Sequence, residues 1–504
     1  MKVLVTGGTG VVGRSAVDHL VRAGHTVRLL SRHAEDDARQ WASGVEARTG
    51  DVSDAGSVFG AADGCDAVLH VAGIVAESPP EVTFDAVNVE GTRNLVREAS
   101  RAGVERFVHV SSLGAERGES GYHRSKKAAE DVVRSGFSGR WMVCRPGNVY
   151  GPGDEVISLL LKMVRTLPAV PVVSGDQEFQ PVWVEDVGQA LARAVEGEKG
   201  WGQVLEMAGP ETTTTNRLLE LMEKLTGRSI VRVPVPEFLA KLGTQAAGLV
   251  GVDLPVNQDQ LVMLAEGNVI GPGGTNALSD VFGVEPTRLA EGLSKLADAM
   301  PEKLPSEGTG RLHRERFWAD IRGSGMTPEQ VLALVRDQFH TLPPDGIMEV
   351  APEPGPPAPL EEGATMTLAV PVRGNVQVRV QEVTPRAITS VTLEGHFFAG
   401  VIRFMAEEPE PGTVRFEVRT YNRAATLLDR VGIRTVGKVA QTMAWGTVVE
   451  EVVRRSGGTA PDGVETVDET LDEEDAKDVE KWTEEMVMRR RRAESPEQGE
   501  GGTA

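Results

Sequence analysis

A phenol, an ammonium and a hydroxyl stand close together in this sequence: Tyr122 and Lys126, four residues apart, follow shortly after Ser112. On a helix, positions four apart share a face, so Tyr122 and Lys126 would meet beside one bound molecule. A phenol of pKa about 10 is a poor base at neutral pH. A neighbouring ammonium favours the phenolate and lowers that value. The Ser112 hydroxyl would hydrogen-bond the substrate oxygen that gains or loses the proton. The implied chemistry is proton exchange at a carbonyl or secondary alcohol, which needs a separate hydride carrier. The spacing Y-x-x-x-K is common by chance and takes its weight from the elements around it.

Those elements begin at the first residues. Val3 to Val5 is a β-branched apolar run that leads through Thr6 into Gly7-Gly8-Thr9-Gly10-Val11-Val12-Gly13, and an amphipathic segment, Ser15 to Ala23, follows. Strand, tight turn and helix in this order form a dinucleotide cradle: one glycine for the turn, one for close approach of a pyrophosphate, one for helix-on-strand packing. The helix directs its free N–H groups and positive dipole end at the phosphates. Strand-like runs recur at 26–30, 45–48, 67–71, 107–110 and 141–144, separated by helical periods such as Phe84–Ala102 and Ser125–Arg134. That alternation predicts an α/β Rossmann fold, a doubly wound parallel sheet with ligands at the carboxyl ends of its strands.

The second strand ends in Ser31-Arg32 where a carboxylate would hold the ribose hydroxyls of NAD, and Arg14 follows the last glycine. Two guanidinium groups and a hydroxyl suit a 2′-phosphate, so NADP(H) is favoured. NAD(H) stays open, with Asp36 or Asp37 folding back to the ribose. Asp51 and Val52 would meet the adenine edge, and the small residues Ala72 and Gly73 would let backbone approach the cofactor.

The 504 residues carry a net charge of −21, which argues against nucleic acid as a partner. Two cysteines, Cys65 and Cys144, form no metal or disulfide pattern, and Met1 runs straight into the first strand. A cytoplasmic protein without a bound metal is expected. No uninterrupted apolar run reaches membrane-spanning length; the nearest, Phe238 to Val252, contains Lys241 and glycines.

The glycine motif, Asn88-Val89-Glu90-Gly91-Thr92, Ser112, Tyr122 with Lys126, and Arg145-Pro146-Gly147-Asn148-Val149-Tyr150-Gly151-Pro152-Gly153 together resemble the extended short-chain dehydrogenases/reductases, the NAD-dependent epimerase/dehydratase superfamily. The resemblance covers about residues 1–300. It implies cofactor contacts from Asn88, Ser111, Lys126, Pro146, Asn148 and Val149, and a substrate-binding part over 151–300 bordered by Pro168–Pro171 and Ser174–Gln180. Trp183 stands where many members have histidine. Gly209-Pro210-Glu211-Thr212, Val233 to Pro236 and Asp259 to Val269 look like the branch related to the nucleotide-binding accessory subunit of respiratory complex I. Several members of that branch bind cofactor without turnover. The expected function is an oxidoreductase or epimerase acting on a small-molecule substrate; Phe179, Trp183, Phe238 and Leu239 would suit a hydrophobic one, the alternative being that they form ordinary core. The alternatives are a non-catalytic NAD(P)H sensor or assembly factor, and a lipid or quinone binder acting through a second domain. A homodimer is left open.

Pro301 to Gly310 reads as a linker. A helix over Thr327–Phe339, a Pro-rich loop over 352–359, five strand-like runs between Ala364 and Thr420, and a helical region over Thr435–Val453 follow. Together with Thr392 to Gly400 and Val414 to Arg419, this pattern resembles a family of domains of unknown function related to the lipid-binding helix-grip superfamily. An α+β helix-grip-like domain is therefore expected over 311–455. The resemblance implies an apolar cavity for an apolar ligand, with His396, Arg419 and Asn422 as polar contacts. From Ser456 the composition turns acidic and reads as a disordered tail to 504, with Arg489 to Arg492 as a solvated helix end.

Overall fold

The structure is a computed structural model that describes residues 1–504 except 42, 81, 168, 236–266, 272, 344–348, 352–358, 371–373, 426–437 and 495–504. The Phe238–Val252 run, most of the Pro-rich loop and the start of the 435–453 helical region lie outside the described residues. The chain forms two compact units. One comprises Met1–Leu161, Ala169–Met222 and Val231–Ala297; the other comprises Lys162–Pro168, Glu223–Ile230 and Asp298–Ala504.

The first unit alternates β1 (Lys2–Thr6), α1 (Val11–Arg22), β2 (Thr26–Ser31), α2 (Ala34–Ala38), β3 (Val45–Thr49), α3 (Ala55–Val58), β4 (Ala67–His70), α4 (Gly91–Arg101), β5 (Arg106–Val110), α5 (Gly121–Gly136) and β6 (Arg140–Pro146). Seven parallel strands run in the order Val204–Met207, β6, β5, β4, β1, β2, β3. The order reverses at β1, which makes the crevice beside its carboxyl end the natural ligand site. Strands β1, β4 and β5 are buried almost throughout because both faces are covered. On one face Val3, Val5 and Val108 pack with Ala16, Val17 and Leu20 of α1 and with Val187 and Leu191 of the helix Val184–Glu196. On the other, Leu4, Val68 and Phe107 pack with Leu95, Val96 and Ala99 of α4 and Val133 of α5.

The second unit is an eight-stranded antiparallel sheet in the order Glu349–Ala351, Thr365–Val370, Gly374–Val383, Ala387–Thr392, Phe398–Glu410, Thr413–Ala424, Thr309–Arg322, Glu465–Thr470. Alternation along the strands gives it two faces. Phe317, Ile388, Phe404, Phe416 and Val418 form one core with Val331, Leu332 and Val335 of the helix Pro328–Gln338 and with Trp445, Val448 and Val452 of the helix Lys438–Arg455. Thr327 caps the first of these helices in a capping box with Gln330.

Three expectations are corrected here. The stretch read as a linker contains the start of the strand Thr309–Arg322, and Glu302 within it is buried, bonded to Arg379 and Arg490. The strand itself escaped notice because charged residues such as Arg314, Arg316 and Asp320 alternate with its apolar ones. The tail read as disordered from Ser456 holds the strand Glu465–Thr470 and the helix Glu473–Glu494. That helix presents Ala476, Val479, Trp482, Met486 and Val487 to Leu312, Val391, Val401 and Tyr421 on the second face of the sheet. This stripe at helical spacing is too narrow to register in an acidic composition. Arg490 is accordingly not solvated: its guanidinium donates to Gln381 Oε1 at 2.7 Å and to Glu302 Oε1 at 2.7 Å.

His396, Arg419 and Asn422 do not converge. Arg419 and Asn422 lie on opposite faces of one continuously paired strand, where Arg419 donates to Glu417 at 2.7 Å and Asn422 to Thr420 at 2.9 Å. His396 Nδ1 accepts from the Phe398 amide at 2.9 Å.

Candidate active site

A cleft of about 850 Å³ opens at the carboxyl ends of the parallel strands. Its floor is the turn from β1 to α1, where the glycines divide the work. Gly7 has φ +70, and a β-carbon there would lie 2.6 Å from the Ala72 amide nitrogen. A β-carbon at Gly13 would lie 2.0 Å from the Gly7 carbonyl oxygen, and one at Gly8 would meet Leu29 at 2.5 Å. These three glycines let turn, helix and sheet close on one another. Gly10 differs: its β-carbon would touch only the Gly7 carbonyl oxygen, at 3.5 Å. It caps α1 without a side-chain hydrogen bond, which leaves open backbone and first-turn amides facing the cleft. That geometry accommodates a pyrophosphate.

Thr9, Val11 and Val12 line the same floor. Ser31, Arg32, Asp51, Val52, Ala72 and Gly73 line the wall around the ends of β2, β3 and β4. The Ser31 hydroxyl donates to Asp37, so a carboxylate stands in this wall beside Arg32. Asp51 Oδ1 accepts from the Ser53 amide at 2.9 Å and hydroxyl at 2.7 Å, which fixes the turn after β3. Arg14 is exposed on the first turn of α1 and is not among the residues that line the cleft.

Ser111, Ser112, Tyr122, Lys126, Pro146, Asn148 and Val149 complete the wall. Ser120 caps α5, its hydroxyl oxygen accepting from the His123 amide. This starts the helix in time to place Tyr122, Lys126 and Glu130 along one face. The Ser112-to-Tyr122 segment is short, and a 3₁₀ turn, Leu113–Glu116, folds it back against α5. A β-carbon at Gly114 would lie 2.4 Å from His123 Nε2, so only glycine lets that turn pack so closely. The result is that Ser112 and Tyr122 both face the cleft. Burial pushes the phenol up to about 12, and the neighbouring Ser112 hydroxyl pulls the other way. Lys126 donates to the Val110 carbonyl at 2.6 Å. Burial brings the ammonium down to about 8, against the opposing charge of Glu130.

Two buried networks hold this trio; Glu130, Glu116, His70 and Ser125 in them were not recognised in the sequence. Glu130, wholly buried, accepts from the Ser111 hydroxyl at 2.6 Å and from Arg145 at 2.7 and 2.6 Å; Arg145 also reaches Glu116 at 2.6 Å. The signal for Glu130 was its place four residues beyond Lys126. Asn88 sits in a π-helical stretch, Asp85–Glu90, that runs into α4. It does not line the cleft. Its amide grips both backbone groups of Ile74, at 2.8 and 3.1 Å, and the Ser125 hydroxyl at 2.9 Å. From there Thr92 bonds the Asn88 carbonyl at 2.6 Å, and His70 bridges Thr92 at 3.0 Å and Thr6 at 2.7 Å. Glycine turn, β4 loop and α5 are thereby tied together.

The remaining expectations divide. Phe179 lines the cleft. Trp183 packs edge-on against Tyr150, with ring centroids 5.3 Å apart, and Phe238 and Leu239 lie outside the described residues. Cys65 and Cys144 are buried and unbonded. Among the described residues no helix is long and apolar enough to cross a membrane, and no cluster of His, Cys, Asp and Glu suits a metal ion.

Residues 3–206 match the family described as the NAD dependent epimerase/dehydratase family. Sterol demethylase protein B of Methylococcus capsulatus is 31% identical over 265 residues, which are 47% of this chain and 78% of that protein. The chain belongs to the NAD-dependent epimerase/dehydratase family. The chain is also similar to the ceramide reductase of Caulobacter vibrioides, at 35% identity over 38% of this chain and 59% of that one. A third relative is the mitochondrial NADH dehydrogenase [ubiquinone] 1 alpha subcomplex subunit 9 of Mus musculus, at 28% identity over 56% and 76%. Outside the epimerase/dehydratase region, residues 331–450 match a family described as a domain of unknown function, DUF1990.

Proposed function

We propose that the first unit is an NAD(P)H-dependent oxidoreductase acting on a carbonyl or secondary alcohol through Ser112, Tyr122 and Lys126. The observation that carries this is the convergence of Ser112, Tyr122 and Lys126 on the cleft that also holds the open backbone of Gly10. The floor from Gly7 to Gly13 would hold the pyrophosphate. Asp51 and Val52 would meet the adenine, Ser31 and Arg32 its ribose, and Ala72, Gly73, Lys126, Pro146, Asn148 and Val149 the nicotinamide side. The bound nicotinamide supplies or accepts the hydride. For reduction, Tyr122 gives its proton to the carbonyl oxygen, which becomes the hydroxyl; the reverse applies for oxidation. Ser112 orients that oxygen. The phenol held up to about 12 is well suited to keep its proton until a carbonyl oxygen takes on negative charge. Lys126, with the positive charge of the oxidised cofactor, stabilises the phenolate left behind.

The Tyr122→Phe variant should lose about 10²- to 10⁴-fold in kcat/KM while binding cofactor as the parent does. A rate within a few-fold of the parent would sink the proposal.

We favour NADP(H) over NAD(H) because Arg32 stands in the wall at the end of β2. Asp37, which takes the Ser31 hydroxyl, is the opposing charge. Arg32→Ala should weaken NADPH more than NADH, and Asp37→Asn should strengthen NADPH, as read by fluorescence titration. Tighter NADH binding by the unaltered chain would reverse the preference.

A second reading, a cofactor-binding protein without turnover, is favoured by the hold of Lys126 on the Val110 carbonyl and by the similarity to the mitochondrial subunit. Its mark would be a stoichiometric NADPH complex that no carbonyl compound oxidises.

A further inference from the structure

Beyond Ser112 and Tyr122 the cleft is walled by Val75, Val82, Val156, Ile157, Leu160 and Leu218. The charged groups of this part, among the described residues, are Lys126 and the carboxylates of Asp154 and Glu155. Asp154 is committed to the start of the helix Ile157–Thr166, where its Oδ1 accepts the amides of Val156, Ile157 and Ser158 at 3.0, 2.7 and 3.1 Å. A diphosphate lodged here would meet carboxylates and no guanidinium among the described residues that line it.

Among the described residues, two polar atoms in this wall find no partner. The Oδ1 atoms of Asn148 and Asn268 are buried and accept no hydrogen bond from them, although both residues line the cleft. They come from distant parts of the chain but are fastened to one segment. The Val182 amide donates to the Asn148 carbonyl at 3.0 Å, and the Gln180 amide donates to the Asn268 carbonyl at 2.8 Å. Phe179, paired with Asn268 in a parallel bridge, supplies an aromatic surface beside them. Leaving a buried amide oxygen without a donor costs about 1–3 kcal/mol, a cost that a bound molecule with a suitably placed N–H or O–H removes.

We propose that Asn268, together with Asn148, selects an uncharged, largely apolar ketone or secondary alcohol that carries a hydrogen-bond donor close to the reacting carbon. The apolar wall takes the chain of such a molecule, and the two amide oxygens take its donor. A site built to bond a donor rejects an analogue that lacks one far more strongly than an apolar pocket rejects a missing methylene. The inference rests on the oxidoreductase reading for the reacting group, and it adds Asn268 as the residue that sets specificity.

The test compares decyl methyl ketone with its α-acetamido derivative, using the full chain. Binding to the Tyr122→Phe protein saturated with NADP⁺ is measured by calorimetry, and turnover by the unaltered chain through NADPH absorbance. The derivative should bind at least about tenfold more tightly than the parent ketone. Asn268→Leu should erase that preference, and Asn268→Asp, which keeps an acceptor, should retain it. UDP-glucose should not compete. Equal binding of the two ketones by the Tyr122→Phe protein overturns the inference, as does a preference that survives Asn268→Leu or competition by UDP-glucose. Tyr122-dependent turnover at the same kcat/KM for both ketones would overturn it while leaving the oxidoreductase reading intact. A donor preference in binding without Tyr122-dependent turnover would support the inference and defeat that reading instead.

Discussion

Glu130 is the buried side chain that ties Ser111 to Arg145 and faces Lys126 with its charge. Its carboxylate is wholly buried, shared between Ser111 and a two-pronged bond from Arg145, and it raises the ammonium of Lys126 that burial lowers. Glu130→Gln leaves the buried Arg145 with Glu116 alone and should destabilise the first unit by about 3–5 kcal/mol, read by urea denaturation. In whatever fraction remains folded, the Lys126 ammonium loses its supporting charge. The alkaline limb of kcat/KM should therefore move to lower pH; an unmoved limb would show that Glu130 acts on stability alone. His70 gives a second dependence on pH. Burial lowers its imidazole to about 3, between hydrogen bonds to Thr6 and Thr92. Its folded pKa lies below the unfolded value, so its contribution is complete above about pH 6.5 and is lost as pH falls towards 3. Between pH 6 and 4 the parent should lose up to about 1.4 kcal/mol per pH unit more than His70→Gln. Parallel slopes would mean that the two threonines do not hold the ring neutral.

At the scale of elements, the turn from β1 to α1 separates folding from binding. Gly13→Ala drives a β-carbon to 2.0 Å from the Gly7 carbonyl, and Gly7→Ala adds a positive φ to a 2.6 Å contact. Each should cost at least about 1–3 kcal/mol of stability. Gly10→Ala meets only one atom at 3.5 Å, so the melting temperature should stay within a few degrees of the parent. The added methyl stands where the backbone faces the cleft, and cofactor affinity should fall at least about tenfold, since losing one charge-assisted hydrogen bond costs ~1.5–3 kcal/mol. If Gly10→Ala destabilises as much as Gly13→Ala, the open cradle at Gly10 is misassigned. Much of this turn was legible in the sequence, because each glycine sits at a fixed offset from the strand end. The short Ser112-to-Tyr122 segment was not. Its workability depends on Gly114 meeting His123, two residues whose contact no spacing rule announces.

Over the whole molecule, the C-terminal helix Glu473–Glu494 is part of the second unit's core. Leu312, Val391, Val401 and Tyr421 are buried with Met486 and Val487, and Glu302 draws on Arg490 as well as Arg379. A chain ending at Pro461 should expose that face and bind a hydrophobic dye, and its second unit should lose cooperative unfolding. Arg490→Met, which keeps the packing and removes the charge, should cost about 2–4 kcal/mol, because Glu302 then keeps a single guanidinium. An unchanged melting profile in both variants would return the segment to the status of a tail. Composition pointed the other way because it averages over faces: a helix with one apolar stripe and an acidic outer surface has the overall make-up of an unstructured chain.

The residues by themselves determined the parallel sheet and the glycine turn, and they singled out Ser112, Tyr122 and Lys126, which all line the cleft. Each is a local pattern, whether a period, an offset from a strand end or a spacing of four on a helix. Tertiary structure decided the rest. It withdrew Arg14 from the cleft wall and set Asp37 on Ser31; it gave Asn88 to the loop at Ile74 rather than to the cleft. It buried Glu130 under Ser111, and it brought Asn268 to the same segment as Asn148. These are contacts between parts of the chain far apart in sequence, fixed by which faces must be buried together, and no pattern within a short window carries that information.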